Sequence, residues 1–342
     1  MENLLVTGGA GFIGSHVVRT LLVLKELKDC QITVLDDLSG GFRSNVPQDA
    51  RAEFVQGSIT DEPLVKQLFQ EKRFQYVYHF AAYAAEGLSH FIRRFNYTNN
   101  LIGSINLINA AVNHGTECFV FTSSIAVYGK AQVPMREDMI PQPEDPYGIA
   151  KYAVELDLEN AHKMFGLDYV IFRPHNVYGE YQNIEDKYRN VVGIFMNQVL
   201  QGKPMTIFGD GKQQRAFSYI GDIALTLAGS PLARAARNRV FNIGADQPFS
   251  VNDLAHEVAR AMEVSPRIIH LPPRQEVVMA FSDHSACHQV FGNGHQTSLE
   301  EGLKCMAAWV RKVGARKSKD FEDIEIHQGL PSAWVSPIQG TT

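Results

Sequence analysis

The sequence predicts an α/β fold: a Rossmann-type doubly wound parallel sheet carrying a smaller, discontinuous α/β lobe. Three observations carry that expectation. Short β-rich runs alternate with helical patterns through the first half of the chain. A glycine-rich turn, Thr7-Gly8-Gly9-Ala10-Gly11-Phe12-Ile13-Gly14, lies between the first run and the first helix. Asp36 closes the second run, 22 residues past Gly14.

Each element has its own reason. Leu4-Leu5-Val6 reads as a buried strand, and Ile13, Val17, Val18, Leu21 and Leu22 then recur at helical spacing. Ile32-Thr33-Val34-Leu35 is a second strand and Phe54-Val55 a short third. Pro63 suits the first turn of a helix running to about Phe69. Tyr76 to Phe80 is a fourth strand. A helix over about 91–113 follows, with Leu101, Ile105 and Ile108 on one face. Phe119-Val120-Phe121 is a fifth strand, and a helix carries Tyr147 to about Phe165. Tyr169 to Phe172 is a sixth strand, ended by Pro174. Residues 175–216 are loop-rich, with one helix near Val191 to Leu200, and about 217–244 returns to the main sheet. The expected division is 1–174 plus about 217–244 for the first lobe, and about 175–216 plus 245–342 for the second.

Bulk composition narrows the function. The chain has 342 residues, 45% of them hydrophobic, and a formal net charge of −5. That charge argues against nonspecific nucleic-acid binding, so an anionic ligand would need a local basic pocket. The four cysteines, Cys30, Cys118, Cys287 and Cys305, form no CxxC pair, so neither a metal site nor a disulfide framework is expected. No basic segment followed by an apolar one opens the chain, and no apolar run approaches membrane-spanning length. The expected setting is the cytoplasm.

The turn at 7–14 carries the first site. Gly8, Gly11 and Gly14 allow a tight turn, close approach of backbone to a pyrophosphate, and close helix–strand packing. The helix end behind them adds amide donors and a positive dipole end. A carboxylate at Asp36 can accept hydrogen bonds from both ribose hydroxyls and repels a 2′-phosphate, which favours NAD over NADP. Asp37 shares that role or is simply solvated.

The second site is chemical. Tyr147-Gly148-Ile149-Ala150-Lys151 puts a phenol and an ammonium on one helical face. A neighbouring cation favours the phenolate, making Tyr147 a candidate general base. Ser124, at the end of the fifth strand, can bond the same substrate hydroxyl and relay its proton, with Ser123 beside it.

With these residues in place, the chain resembles an extended short-chain dehydrogenase/reductase of the NAD-dependent nucleotide-sugar epimerase/dehydratase family. The matching segments are TGGAGFIGSH (7–16), VLDDL (34–38), HFAA (79–82), TSSIAVYG (122–129), YGIAK (147–151), RPHNVYG (173–179) and FGDGKQQRAFSYIGD (208–222). The resemblance implies that Phe12 and Ile13 meet the pyrophosphate, that Ala81 and Ala82 line the cofactor, and that Asn100 supports a loop beside it. Ser58 and Ile59 fall where the family often has Asp-Ile against the adenine, so that contact differs here. The usual Lys after HFAA is absent, with Ala84 nearby. In the second lobe, Asn176 would contact the sugar diphosphate, Asn190 and Val191 would wall the nucleotide base, and Arg215 and Arg274 would bind phosphate. A homodimer through the helices around 91–113 and 147–165 is also implied.

The resemblance leaves two reactions to separate. A 4-epimerase oxidises the sugar at C4, with NAD as hydride carrier, and re-reduces it on the other face. A 4,6-dehydratase shares the first step and then eliminates water. Family dehydratases place Asp-Glu directly after the Ser/Thr, whereas here Ile125 and Ala126 follow Ser124. That favours a UDP-sugar 4-epimerase. Glu86 and His175 are unusual for a 4-epimerase and are the candidate acid and base for an atypical dehydratase. A non-catalytic NAD-binding sensor is a third reading, disfavoured by the intact Ser124, Tyr147 and Lys151. His79, Tyr128 and Tyr178 read as packing residues.

Overall fold

The computed structural model describes residues 2–130, 133–186, 188–273, 278–314, 321, 323–331 and 334. Its centre is a seven-stranded sheet. Six strands come from the first half: β1 (Asn3–Thr7), β2 (Gln31–Asp36), β3 (Ala52–Gln56), β4 (Tyr76–His79), β5 (Cys118–Thr122) and β6 (Asp168–Pro174). The seventh, Arg239–Ile243, arrives from the stretch expected to return. It pairs with β6 at one edge, and the order continues β5, β4, β1, β2, β3. Every pairing is parallel; Leu4, for instance, stands opposite both Ile32 and Tyr76. The reversal between β1 and β4 is the switch point where such sheets hold ligands.

Helices cover both faces. Helix α1 (Phe12–Val23) buries Val17, Val18 and Leu21 in one core, joined by Ile220, Ile223 and Leu227 of the helix Ile220–Gly229. Helix α2 (Glu62–Lys72) opens on Asp61, whose carboxylate accepts from the Leu64 amide, and buries Val65, Leu68 and Phe69 in the other core. The helical path from Arg93 to His114 is continuous but widens into a π-turn at Thr98–Ile102. A 3.6-residue pattern does not show such a turn.

The second lobe has a separate core. Helices Val251–Ala261 and Leu299–Val313 pack together through Leu254, Val258, Leu303 and Met306. Both begin with a capping box, Ser250 with Asp253 and Ser298 with Glu301, which fixes their starting points.

Two elements from the stretch 245–342 pack beside the main sheet. Helix Ser285–Phe291 joins the main-sheet core, with Cys287 buried there and Phe291 against Phe172 and Phe241. Phe321, Ile324, Leu330 and Trp334 pack on residues 83–95, beside the sheet.

Candidate active site

A single cleft of about 1170 Å³ runs across the carboxyl ends of the strands and between the lobes. At its floor is the glycine turn. Gly8 has φ +68°, and a Cβ there would stand 2.6 Å from the Ala81 amide nitrogen. A Cβ at Gly14 would stand 2.3 Å from the Gly8 carbonyl oxygen. These positions exclude side chains and bring the backbone to the surface of the cleft. Gly11 caps α1 without a side-chain hydrogen bond, and Phe12, Ile13 and Gly14 line the cleft.

Asp36 is buried at the end of β2. Its Oδ2 accepts from the Ala10 amide (3.0 Å) and its Oδ1 from Leu38 (2.8 Å). Burial pushes its pKa up, while those amides work in the opposite direction. The carboxylate therefore ties the glycine turn to β2 and still faces the cleft. Asp37 also lines the cleft, and its Oδ1 accepts from the Ser39 amide at 2.8 Å. Ala81 and Ala82 line the opposite side. Ser58 reaches the cleft, but its hydroxyl bonds Thr60 Oγ1 at 2.9 Å. Ile59 lines it beside Ser58. Asn100 is not in the cleft wall. It sits behind, accepting from the Tyr83 amide (2.8 Å) and donating to the Tyr83 carbonyl (3.1 Å), so it holds the loop after β4. A dinucleotide fits this cradle: exposed turn backbone, an open helix end and an acidic strand end.

Ser124, Tyr147 and Lys151 come together on the same cleft. The helix Pro146–Phe165 starts at Asp145, whose Oδ1 accepts from the Gly148 amide at 2.9 Å, with Pro146 preset in its first turn. That start places Tyr147, Lys151 and Glu155 one turn apart on the buried side. Lys151 donates to the Thr122 carbonyl at 2.8 Å, and its ammonium lies 5.8 Å from the Tyr147 ring centroid. Burial lowers its pKa to about 7, opposed by the Glu155 carboxylate. Burial raises the Tyr147 pKa; a hydrogen bond with Ser124 lowers it and Glu86 raises it.

Two buried oxygens facing this region, Ser123 Oγ and Gln182 Oε1, have no partner among the described residues. Both residues line the cleft. Buried polar atoms are seldom left unpaired, so this marks where a polar ligand belongs. Sequence reasoning found Ser123 and missed Gln182, which lies in a loop without a motif. It also missed Glu155, whose one signal was its position four residues after Lys151. Glu155 is bound by Arg173, with Nε–Oε1 at 3.0 Å, in a buried ion pair that joins the helix to β6.

Among the sugar-side residues, Asn176, Asn190, Val191 and Arg215 all line the cleft. The two asparagines also shape the backbone, at φ +40° and +33°. Asn176 donates to the Ala216 carbonyl at 3.1 Å, and Asn190 caps the helix Val191–Leu200 through the Val192 amide at 3.0 Å. Arg274 lies outside the described residues.

His175 is, with Glu86, the candidate acid or base for the alternative reaction. It lines the cleft, yet its Nδ1 bonds the Ala216 carbonyl (3.1 Å) and its Nε2 meets His284 Nε2 (3.1 Å). Burial holds its pKa down at about 3. Both ring nitrogens thus meet protein partners in this structure. Glu86 stays in the cleft at the start of the turn Glu86–Ser89. His79 is buried between Thr7 Oγ1 (2.7 Å) and Ser104 Oγ (2.8 Å). Ser104 donates to the Asn100 carbonyl, so His79 is the donor to Ser104 and the acceptor from Thr7.

The fold and the cleft together define a dinucleotide-dependent enzyme of the α/β type with a second ligand lobe. Residues 4–244 match the model of the NAD dependent epimerase/dehydratase family, and the chain belongs to that family. It is 33% identical to a UDP-glucose 4-epimerase of Mycolicibacterium smegmatis, covering 87% of this chain and 95% of that one. It is 31% identical to the mouse dTDP-D-glucose 4,6-dehydratase, covering 91% and 89%. Among solved structures, the Thermotoga maritima UDP-glucose 4-epimerase with UDP-glucose superposes with a TM-score of 0.82 at 35% identity, over 91% of this chain and 99% of that one. The protein is thus an NAD-dependent enzyme of the nucleotide-sugar epimerase or dehydratase kind. Among the described residues no helix is long and apolar enough to cross a membrane, and no cluster of His, Cys, Asp and Glu could hold a metal.

Proposed function

We propose that this protein is a UDP-sugar 4-epimerase working through a transient 4-keto sugar. One observation carries the choice over a dehydratase. Ser124 is followed on the cleft wall by Ile125 and Ala126, which hold no proton to give or take. The commitment of both His175 nitrogens removes a second candidate acid.

In this reading Tyr147 takes the proton from the sugar 4-hydroxyl, and Ser124 bonds the same oxygen and passes the proton across. NAD, when bound, supplies a reversible hydride acceptor. Burial opposes the phenolate, so the ammonium of Lys151 must favour it. Glu155 keeps that ammonium charged in a dry site. After the sugar has turned over within the cleft, the same hydride would return to the other face of C4, and Tyr147 gives the proton back to the 4-oxygen. Asp36 would take the adenosine ribose, with Asp37, Ser58 and Ile59 around the adenosine end. Asn176, Asn190, Val191 and Arg215 would hold the nucleotide diphosphate, with Ser123 on the sugar.

The two-lobe division belongs to the same proposal, with helix Ser285–Phe291 and the segment from Phe321 reassigned to the first lobe. So does a homodimer through the helices Arg93–His114 and Pro146–Phe165. Ile102, Ile149 and Leu156 are 51, 40 and 49% exposed on those helices, an apolar surface a second copy would cover. Light scattering giving a monomeric mass would remove the dimer. Four unpaired cysteines support a reducing, cytoplasmic setting.

The test of the reaction is a panel of UDP-, GDP-, CDP- and dTDP-sugars, with products read by NMR and mass spectrometry. Unchanged mass with inversion at C4 for a UDP-sugar is expected. Loss of one water from the product would overturn the epimerase in favour of the dehydratase.

A further inference from the structure

We propose that Gly329, Pro331 and Trp334 are part of the active site: they form the outer wall of the sugar subsite and, with Phe321 and Glu325, clamp the Glu86–Ser89 turn against the helix Pro146–Phe165. The inference rests on the nucleotide-sugar reading above.

Gly329, Pro331 and Trp334 line the same cleft as Tyr147 and Glu86. Trp334 is only 9% exposed. Its ring meets Phe91 and Tyr188 edge-on, with centroids 6.1 and 5.5 Å away. A Cβ added at Gly87 would stand 3.2 Å from the indole, so Gly87 lets the ring close onto the turn beside Glu86. Phe321 packs on Tyr83 and Phe95, with centroids 5.3 and 4.8 Å apart.

The tie is polar as well as apolar. The helix beginning at Arg93 has Ile92 at its N-cap and no capping side chain of its own. Glu325, 231 residues beyond Arg94, supplies the cap. Its Oε2 accepts from the Arg94 amide and its Oε1 from Phe95, both at 2.8 Å. The amides of Glu325 and Ile326 both donate to the Phe91 carbonyl, at 2.9 and 3.1 Å.

The layer beneath reaches the helix Pro146–Phe165. Ser89 Oγ donates to the Glu86 carbonyl at 2.6 Å and stands 3.4 Å from Asp145 Oδ1, and Asn96 donates to the Pro146 carbonyl at 2.8 Å. Residues 86–96 are thus held between the start of that helix and the carboxyl-terminal segment. What that segment offers a ligand is an indole, a proline and a glycine. Such a surface fits the C–H face of a pyranose ring rather than a phosphate.

The test uses Trp334→Ala, Glu325→Ala and Glu325→Gln in the full chain, with UDP-glucose and UDP-galactose as substrates and UDP as competitor. Trp334→Ala should raise KM about tenfold and lower kcat, while UDP affinity and bound NAD stay within about twofold. Glu325→Ala should move KM the same way by about threefold. Glu325→Gln should restore most of that, because its amide carbonyl still accepts from the two backbone amides. Unchanged kinetics in Trp334→Ala, or UDP affinity falling in step with that of the sugar nucleotide, would overturn the wall. If the wild type turns over no UDP-sugar, the 4-epimerase reading fails separately. The wall is then decided in Trp309→Phe protein, where Trp334 is the one tryptophan left. UDP-glucose must change its emission while UDP does not; equal responses, or none, would overturn it.

Discussion

The Nε2 atoms of His175 and His284 stand 3.1 Å apart, and the two rings stack at 22°. A carbonyl only accepts, so the Ala216 contact makes His175 Nδ1 a donor and leaves its Nε2 as an acceptor in the neutral ring. His284 then donates to it from Nε2, while its Nδ1 faces Asp246 Oδ1 at 2.6 Å. The Asp246 pKa is accordingly held down at about 2 by that hydrogen bond. The sign of the stability effect follows. The folded pKa of His175, about 3, lies below the ordinary 6.5, so the unfolded chain binds more protons between those values. Stability from His175 is full above pH 6.5 and is lost as pH falls toward 3, on the order of 2 kcal/mol by pH 5. His175→Phe should unfold more easily at pH 7, yet lose less stability than wild type between pH 7 and 5. Thermal melts at the two pH values check this; parallel losses would count against it.

Lys151 gives the opposite balance between fold and function. Its folded pKa, about 7, lies below the ordinary 10.5, so burying the charged form costs stability fully below pH 7 and progressively less up to 10.5. Lys151→Met, stripped of NAD, should melt higher than wild type at pH 6.5, with the gap narrowing at pH 9. The same variant should lose activity by about a hundredfold or more, and Tyr147→Phe by about a thousandfold with bound NAD retained. A Tyr147→Phe enzyme with near-normal turnover would remove the phenol from the chemistry.

Glu155 is expected to matter twice. Removing one partner of a buried ion pair leaves the other uncompensated, so Glu155→Gln should cost about 3–5 kcal/mol in urea unfolding. Losing the carboxylate also removes the influence that raises the Lys151 pKa. The alkaline limb of the pH–rate profile should therefore move to lower pH in the surviving folded enzyme. A limb that stays in place would separate Glu155 from Lys151.

Glu86→Gln distinguishes the two reactions. The Glu86 charge raises the Tyr147 pKa, so its removal favours the phenolate. A 4-epimerase should keep its turnover within about threefold or improve slightly. Collapse of kcat in a folded protein would instead place essential proton transfer on this carboxylate.

The sheet and the cofactor cradle were legible because their signals are local. Alternating runs gave six strands, and three glycines with Asp36 marked the switch point. That Tyr147 and Lys151 would meet on one wall was legible because they share one helical turn. What escaped depends on contacts distant in sequence. His175 sits in a motif that says nothing of His284, 109 residues away. Asn100 reads as the support of a loop, but its bond to Asn96 and its place behind the cleft wall come only from the fold. Gln182 carries no periodicity, and only its unpaired buried oxygen reveals it. Residues 321–334 have the composition of a loose connection; their aromatic side chains acquire meaning only where Tyr83, Phe91 and Phe95 receive them.

The cap supplied by Glu325 also bears on when the enzyme can be assembled during synthesis. The amides of Arg94 and Phe95 leave the ribosome some 230 residues ahead of the carboxylate that satisfies them. The sheet can form and the dinucleotide cradle can close over that interval. The turn beside Glu86 cannot be clamped until the last of its supports emerges. Ribosome-stalled chains ending before Phe321 should therefore retain NAD while turning over substrate poorly.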